Sequence, residues 1–156
     1  MNQLLAIAGG GAIGALLRYW VSNATYTLTG SAFPYGTLLV NVTGSLVMGF
    51  AYIWLLERML GDGALRAFLL IGLLGAFTTF STFSVETLNL MESGHLMRAA
   101  SNAVLSVVLC IGAAALGDLG ARFGVDDPEL AGADSMALLA APPPQLLLNT
   151  SAMLAA

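Results

Sequence analysis

The stretch that decides the fold is residues 72–87, which read GLLGAFTTFSTFSVET. Within it, the residues from Thr78 to Ser84 are all threonine, serine or phenylalanine. Threonine is restricted at χ1, and hydroxyl side chains compete for backbone carbonyl groups, so such a run can interrupt a helix. Inside a membrane, an interruption survives only where protein or water satisfies the freed backbone groups, and there it can offer carbonyl oxygens to a cation.

The composition around this stretch is that of a membrane protein. Hydrophobic residues make up 58% of the 156 residues and charged residues only 9%, against about 25% charged in soluble proteins. A soluble globule of this composition could not cover its surface with polar groups. Four stretches are nearly free of charge and have about the 20 residues that a membrane helix needs: Leu4–Val21, Gly36–Leu56, Ala67–Glu86 and Ala99–Gly117.

The predicted fold is therefore an all-α membrane protein with four transmembrane helices over residues 1–123, the third helix being interrupted. Turn-forming residues predict connections at 23–35, 57–66 and 91–98. Residues 124–156 begin acidic and contain three consecutive prolines, and their apolar pieces are too short to span a membrane. We expect these residues to form a disordered tail.

The five arginines, in a chain without lysine, are almost balanced across the membrane in this arrangement. The side of the N-terminus receives Arg58, Arg66 and Arg122, and the other side receives Arg18 and Arg98. Because the Lys/Arg difference between loops orients a membrane protein, the chain either inserts both ways, which permits an antiparallel homodimer, or is oriented by weaker cues. Five scattered arginines also exclude a basic surface for nucleic acid.

Two uncharged polar stripes follow the second and fourth segments at helical spacing. The first consists of Thr37, Asn41 and Ser45, and the second of Asn102, Ser106 and Cys110. Buried polar groups need hydrogen-bond partners. The stripes therefore either join helices or line a polar path that holds no fixed charge.

Phe80, Phe83 and Arg18 are the residues that could act on an anion in such a path. A phenyl ring has a positive edge that can replace part of the water around a small anion. Arg18, near the end of the first segment, either snorkels to the interface or raises the local anion concentration. The alternative for the phenylalanines is a place in the core beside a kinked helix.

The motifs GGGAIGALLRY (residues 9–19), GTLLVNVTGSLVMG (36–49) and GLLGAFTTFSTFSVET (72–87), in this order and followed by a fourth segment, resemble the Fluc (CrcB-type) fluoride channels over about residues 3–122. The resemblance implies a multi-pass protein of the bacterial inner membrane that passively exports fluoride and lowers its cytoplasmic concentration. It also implies an antiparallel, dual-topology homodimer.

The resemblance assigns roles to individual residues as well. A structural Na⁺ that is not transported would be held by the backbone carbonyls of Gly75 and Thr78, beside Ala76, which replaces the usual second glycine. Arg18 would lie in a vestibule. The pore and fluoride residues implied are Asn41, Phe80, Phe83, Thr82, Ser84, Ser106 and Thr37.

Two other functions use some of the same features. A four-helix, dual-topology, proton-coupled exporter needs a carboxylate within the membrane, and the first two segments have none, while Glu86 stands at the far end of the third. A non-transporting membrane interaction protein would use the same small-residue packing. An enzyme is not expected, because no metal cluster or phosphate-binding loop is present and the single histidine, His95, lies in a predicted loop.

Overall fold

The computed structural model of the chain is all-helical and describes residues 2–58 and 63–124, without the side chains of 56–58. Four of its helical stretches are long and apolar enough to cross a membrane: Asn2–Thr29, Tyr35–Leu55, Gly63–Glu92 and Leu96–Phe123. The four predicted spans are thereby confirmed. The tail is predicted to be disordered, and its residues from 125 onward lie outside the described part of the chain.

The helices are α1 (Asn2–Thr29), α2 (Tyr35–Arg58) and α6 (Leu96–Gly124), with the third span divided into shorter elements between α2 and α6. Those elements are α3 (Gly63–Arg66), a π-helical segment (Ala67–Leu74), α4 (Gly75–Phe77) and α5 (Phe80–Glu92).

Helix α1 is longer than predicted, and the connection expected at residues 23–35 is correspondingly shorter. In this added part of the helix, the hydroxyls of Thr25, Thr27 and Thr29 each donate to the carbonyl four residues earlier, at 2.8 Å. The helix ends at Gly30, whose φ of 76° is costly for any residue with a Cβ. The connection therefore consists of residues 30–34.

The third span is interrupted within the hydroxyl-rich run, as the sequence predicts. Thr78 and Thr79 have extended backbones, with φ/ψ of −78°/157° and −151°/116°. Helix α5 restarts at Phe80, and the Thr79 hydroxyl caps it by accepting a hydrogen bond from the Thr82 N–H at 3.2 Å.

Small residues let α1 lie directly against the π-helical segment. A Cβ at Gly10 would overlap the carbonyl oxygen of Phe68, and a Cβ at Gly14 would overlap that of Leu73. Small residues at this four-residue spacing allow such close approach of membrane helices. The π-helical geometry itself has no signal in the sequence pattern.

Helices α2 and α6 make a second close crossing. A Cβ at Gly49 would overlap the carbonyl oxygen of Ala114, and a Cβ at Gly117 would overlap that of Leu46. The apolar core lies between α2 and the π-helical segment, around Leu55, Leu70 and Leu74. Helix α5 contributes no buried residue to any core.

We expect Gly10→Ala to destabilise the protein and its neighbour Gly11→Ala to leave stability unchanged or raised. The new methyl group at position 10 meets backbone, which yields little, and overpacking of this kind costs about 1–3 kcal/mol. The methyl group at position 11 has no atom within 4 Å. Thermal unfolding in detergent measures both variants, and equal midpoints would contradict the close α1 packing.

Candidate pore-lining site

The Asn41 side chain on α2 binds both backbone groups of Thr79 at the helix break. Its Nδ2 donates to the Thr79 carbonyl at 2.9 Å, and its Oδ1 accepts from the Thr79 N–H at 2.7 Å. Thr79 is buried, with 7% of its surface exposed. A buried peptide group without partners costs free energy, so this pair of bonds is what permits extended backbone at mid-span.

The same break changes the bonding of Gly75 and Thr78, the two residues implied for a cation site. The Thr79 amide donates to Asn41, so the Gly75 carbonyl loses the donor that an unbroken helix would supply. The Thr78 hydroxyl and amide both donate to the Leu74 carbonyl at 3.1 Å, while the Thr78 carbonyl lies in extended backbone. Both carbonyls therefore lie at the break, where the regular hydrogen bonds of the helix are interrupted.

Phe80 and Phe83 lie side by side at the start of α5. Their ring centroids are 5.3 Å apart and the rings are inclined at 42°. Phe80 is 77% exposed and Phe83 is half-buried. Neither ring is enclosed in an apolar core within the protomer, so the core alternative does not describe Phe80.

Two hydroxyl-bearing residues near these rings on α5 are exposed as well. Thr82 and Ser84 are exposed. The Ser84 hydroxyl donates to the Phe80 carbonyl at 2.9 Å, and the Thr82 hydroxyl accepts from that of Thr79 at 2.9 Å. Helix α5 therefore presents phenyl rings and hydroxyl groups together in the middle part of a membrane span.

Tyr26 on α1 contacts both Glu86 on α5 and Thr37 on α2. The Tyr26 hydroxyl on α1 donates to Glu86 Oε1 at 2.7 Å and lies 3.3 Å from the Thr37 hydroxyl on α2. Thr37 is 3% exposed, and the second Glu86 oxygen is buried without a partner among the described residues.

The second polar stripe, on α6, also contacts α5. Asn102, which is 1% exposed, donates to the Thr87 hydroxyl at 2.8 Å. Ser106 is 7% exposed, and its hydroxyl has no partner in the described part of the chain. Cys110 is half-buried. Thr37 and Asn41 of the first stripe and Asn102 of the second therefore join helices, while the Ser106 hydroxyl has no partner among the described residues.

Two charged residues lie deeper than the sequence indicated. Glu86 was expected at the far end of the third span, but α5 continues to Glu92 and leaves Glu86 inside it. Arg18 was expected near the end of the first span, but α1 continues to Thr29, which puts Arg18 about 16 Å from that end. Arg18 is half-buried and forms no ion pair within the described ranges. This position is compatible with both interpretations of Arg18, an interface anchor and a residue that concentrates anions.

Sequence reasoning missed three residues of this site: Thr79, Gly44 and Tyr26. Thr79 lies in the hydroxyl-rich run from Thr78 to Ser84, but the sequence of that run does not indicate which of its residues Asn41 binds. A Cβ at Gly44 would overlap the Thr78 side chain, so this glycine makes room for the break one turn from Asn41. Tyr26 lies in a segment that the sequence predicts to be a connection. Because α1 continues through this segment, the Tyr26 hydroxyl reaches Glu86.

Comparison with known proteins relates the chain to one family. The family model described as "CrcB-like protein, Camphor Resistance (CrcB)" matches residues 5–118. A relative from Coxiella burnetii (strain Dugway 5J108-111), named "Fluoride-specific ion channel FluC", is 57% identical over 120 residues, which cover 76% of this chain and 96% of the relative.

Two further relatives carry the same name. The protein of Magnetococcus marinus is 53% identical over 115 residues, covering 74% of this chain and 94% of its own length. The protein of Methylococcus capsulatus is 53% identical over 120 residues, covering 77% of this chain. The match spans 53% of the Methylococcus protein, so this chain matches about half the length of that relative.

Replacing Asn41 should destabilise the helix break specifically. Asn41→Leu leaves the Thr79 N–H and carbonyl buried and unpaired, at a cost of about 2–4 kcal/mol for the two groups. Thr43→Val on the same helix is the matched control, because that hydroxyl bonds only to carbonyls of its own helix, Leu39 and Val40. Hydrogen exchange at the Thr79 amide should accelerate in Asn41→Leu alone; unchanged exchange would contradict the role of this pair of bonds.

Proposed function

Because the chain belongs to the CrcB-like family, we propose that it is a fluoride-selective channel, which lets fluoride leave the cytoplasm passively and lowers its concentration there. The relatives that are 53–57% identical are named as fluoride-specific ion channels. An ion channel is not an enzyme, in agreement with the sequence-based expectation. With four spans, the chain is a multi-pass membrane protein, and we place it in the bacterial inner membrane.

The observation that carries this proposal is the helix break with its two phenylalanines. Asn41 stabilises the break, and Phe80 and Phe83 follow it directly, with exposed hydroxyl groups on the same helix. Phenyl edges and hydroxyl donors can together replace the hydration of a small anion. None of these groups carries a charge, so an anion is not bound too tightly to leave.

Arg18, Thr37 and Ser106 extend this path in the proposal. Arg18 would raise the anion concentration before the phenylalanine pair, since it is an unneutralised charge inside a span. The Ser106 hydroxyl lacks a protein partner among the described residues and could donate to a passing ion. Thr37 keeps contact with Tyr26 and would line the path on the other side of Asn41.

A second copy of the chain would complete the pore. Phe80, Ser81, Thr82 and Ser84 are exposed on the protomer although they lie within a membrane span. Hydroxyl groups and freed carbonyls facing lipid are costly, so a partner protomer or water must cover them. We propose a homodimer in which α5 faces the partner, arranged antiparallel with two pores.

The structure alters the charge argument for the antiparallel arrangement. Because Arg18 lies inside α1, the connections and helix ends retain Arg58, Arg66 and Arg122 on the N-terminal side and Arg98 on the other. The difference is then three arginines to one, counted without the arginine inside α1. We still propose that the chain inserts into the membrane in both orientations.

A structural Na⁺ fits the residues at the break. The Gly75 carbonyl has lost its helical donor, and Gly75 is exposed on the protomer. Among the described residues, no group of acidic, histidine or cysteine side chains could hold a metal. Neutral carbonyl oxygens suit a monovalent cation better than Ca²⁺ or Mg²⁺. When bound, the ion would supply positive charge and dimer stability, held by the carbonyls of Gly75 and Thr78.

Liposomes with the purified protein should release fluoride down its gradient without a proton gradient, and chloride much more slowly. Phe80→Ile and Phe83→Ile should each slow fluoride release at least about tenfold while the protein stays folded, because the aliphatic group has no positive edge. Phe123→Ile is the control, since that ring is 64% exposed at the far end of α6. Equal chloride release would refute the channel assignment, and proton-coupled release would favour the exporter.

Both orientations should be detectable by labelling. A single cysteine at exposed Ser31, in a Cys110→Ser background, should react with a membrane-impermeant reagent from both faces of the membrane. Labelling from one face only would exclude dual topology and leave the channel proposal to be judged by fluoride release.

Gly75→Val should impair activity and dimer stability although the protomer has space for the side chain. The closest atom to a Cβ at this position is the Leu70 carbonyl oxygen at 3.5 Å, an ordinary contact. A severe effect, absent from Gly112→Val, would therefore come from the partner or the ion. Replacing Na⁺ by N-methylglucamine should also weaken the dimer; equal dimer stability in both cations, with contaminating Na⁺ removed, would refute the structural cation.

A further inference from the structure

Gly44 is the point at which the side chain of Thr78 packs against α2. Gly44 is buried, and a Cβ at this position would overlap the Cγ2 methyl group of Thr78 and lie 3.1 Å from Cδ1 of Phe77. The methyl group of Thr78 therefore occupies the space that a side chain at position 44 would fill. Thr78 is also one of the two residues whose backbone carbonyls are proposed above to hold Na⁺.

The two groups on the Cβ of Thr78 have different partners. The hydroxyl group donates to the Leu74 carbonyl at 3.1 Å, and the methyl group lies against Gly44. A β-branched side chain has few χ1 rotamers, and a change of rotamer would separate these groups from their partners. The side chain therefore fixes the place of the Thr78 Cα relative to α2.

The direction of the Thr78 carbonyl is fixed through the next amide. The peptide bond between Thr78 and Thr79 is trans, so its carbonyl and its N–H point in opposite directions. The N–H donates to Asn41 Oδ1 at 2.7 Å, and the carbonyl consequently points away from that carboxamide oxygen. Asn41 and Gly44 are three residues apart on one face of α2. Helix α2 thus fixes the direction of this carbonyl through Asn41 and its place through Gly44.

We propose that Gly44 is a positioning residue for the structural Na⁺, because the space it leaves for the Thr78 methyl group sets the place of a carbonyl that would bind the ion. The proposal rests on the channel and the structural cation proposed above, and it concerns a residue that does not itself bind the ion. Changes in groups that orient metal ligands typically lower the affinity for the metal about 10–100-fold. Enlarging Gly44 should therefore weaken Na⁺ binding.

The dependence of dimer stability on Na⁺ measures this effect. The thermal midpoint of the dimer in detergent is followed as Na⁺ replaces N-methylglucamine at constant ionic strength. An ion that binds only the assembled dimer raises the midpoint once its concentration exceeds the dissociation constant. In Gly44→Ala this rise should begin at a Na⁺ concentration at least about tenfold higher than in the wild-type protein, because the new methyl group and that of Thr78 cannot share the space.

Adding Thr78→Ser to Gly44→Ala should restore Na⁺ binding. Serine keeps the hydroxyl group that donates to Leu74 and lacks the methyl group, so the double variant moves one methyl group across the contact. Exchanges that conserve volume are tolerated best in packed sites. We expect the rise to begin within about threefold of the wild-type Na⁺ concentration, since residues in contact show non-additive effects. The double variant should also fold if Gly44→Ala alone does not.

Gly49→Ala is the matched control on the same helix. A Cβ at Gly49 would overlap the Ala114 carbonyl oxygen at the crossing with α6 and does not involve the helix break. This variant should lower the thermal midpoint at every Na⁺ concentration, begin its rise at the wild-type concentration and gain nothing from Thr78→Ser. An equal shift of the Na⁺ dependence in Gly44→Ala and Gly49→Ala would assign the effect to helix packing in general and overturn the inference.

The outcomes separate this inference from the proposals on which it rests. If Na⁺ stabilises the wild-type dimer and Gly44→Ala responds at the same Na⁺ concentration, only the role of Gly44 is refuted. A Gly44→Ala defect that Thr78→Ser does not relieve refutes that role as well. If Na⁺ does not stabilise a wild-type dimer, the structural cation is refuted and the role of Gly44 with it, whereas fluoride release from liposomes still tests the channel.

Discussion

The structure depends on the two hydrogen bonds between Asn41 and the backbone of Thr79. A helix can stop and restart inside a membrane only if its released amide and carbonyl groups find partners, because lipid supplies none. The carboxamide of Asn41 has one donor and one acceptor in the arrangement that a peptide group needs, and it uses both on the same residue. The Gly75 carbonyl, Phe80 and the start of α5 take their positions from this break.

The helices are held together by two different kinds of contact. Glycines bring α1 against the π-helical segment and α2 against α6, with backbone touching backbone. Helix α5 has no buried residue and is instead joined by hydrogen bonds from Tyr26, Asn41 and Asn102, on three different helices. Directional bonds can therefore fix the place of a helix that buries little apolar surface.

The arginines of the described chain differ in their partners. Arg122 is paired with Asp118 within α6, and such exposed pairs add little field at a distance. Arg18 and Arg98 are without carboxylate partners among the described residues, and each lies next to or within a polar part of a span.

The sequence alone determined the four spans and the location of the break within Thr78–Ser84, because span length and hydroxyl competition for backbone groups are local properties of the chain. The resemblance to a known family added roles for the pore residues. Only the tertiary structure decided that Asn41 binds Thr79, that Tyr26 reaches Glu86 sixty residues away, and that Arg18 lies deep within α1. These facts depend on which helices are neighbours and where each one ends, and no local pattern of residue types specifies either.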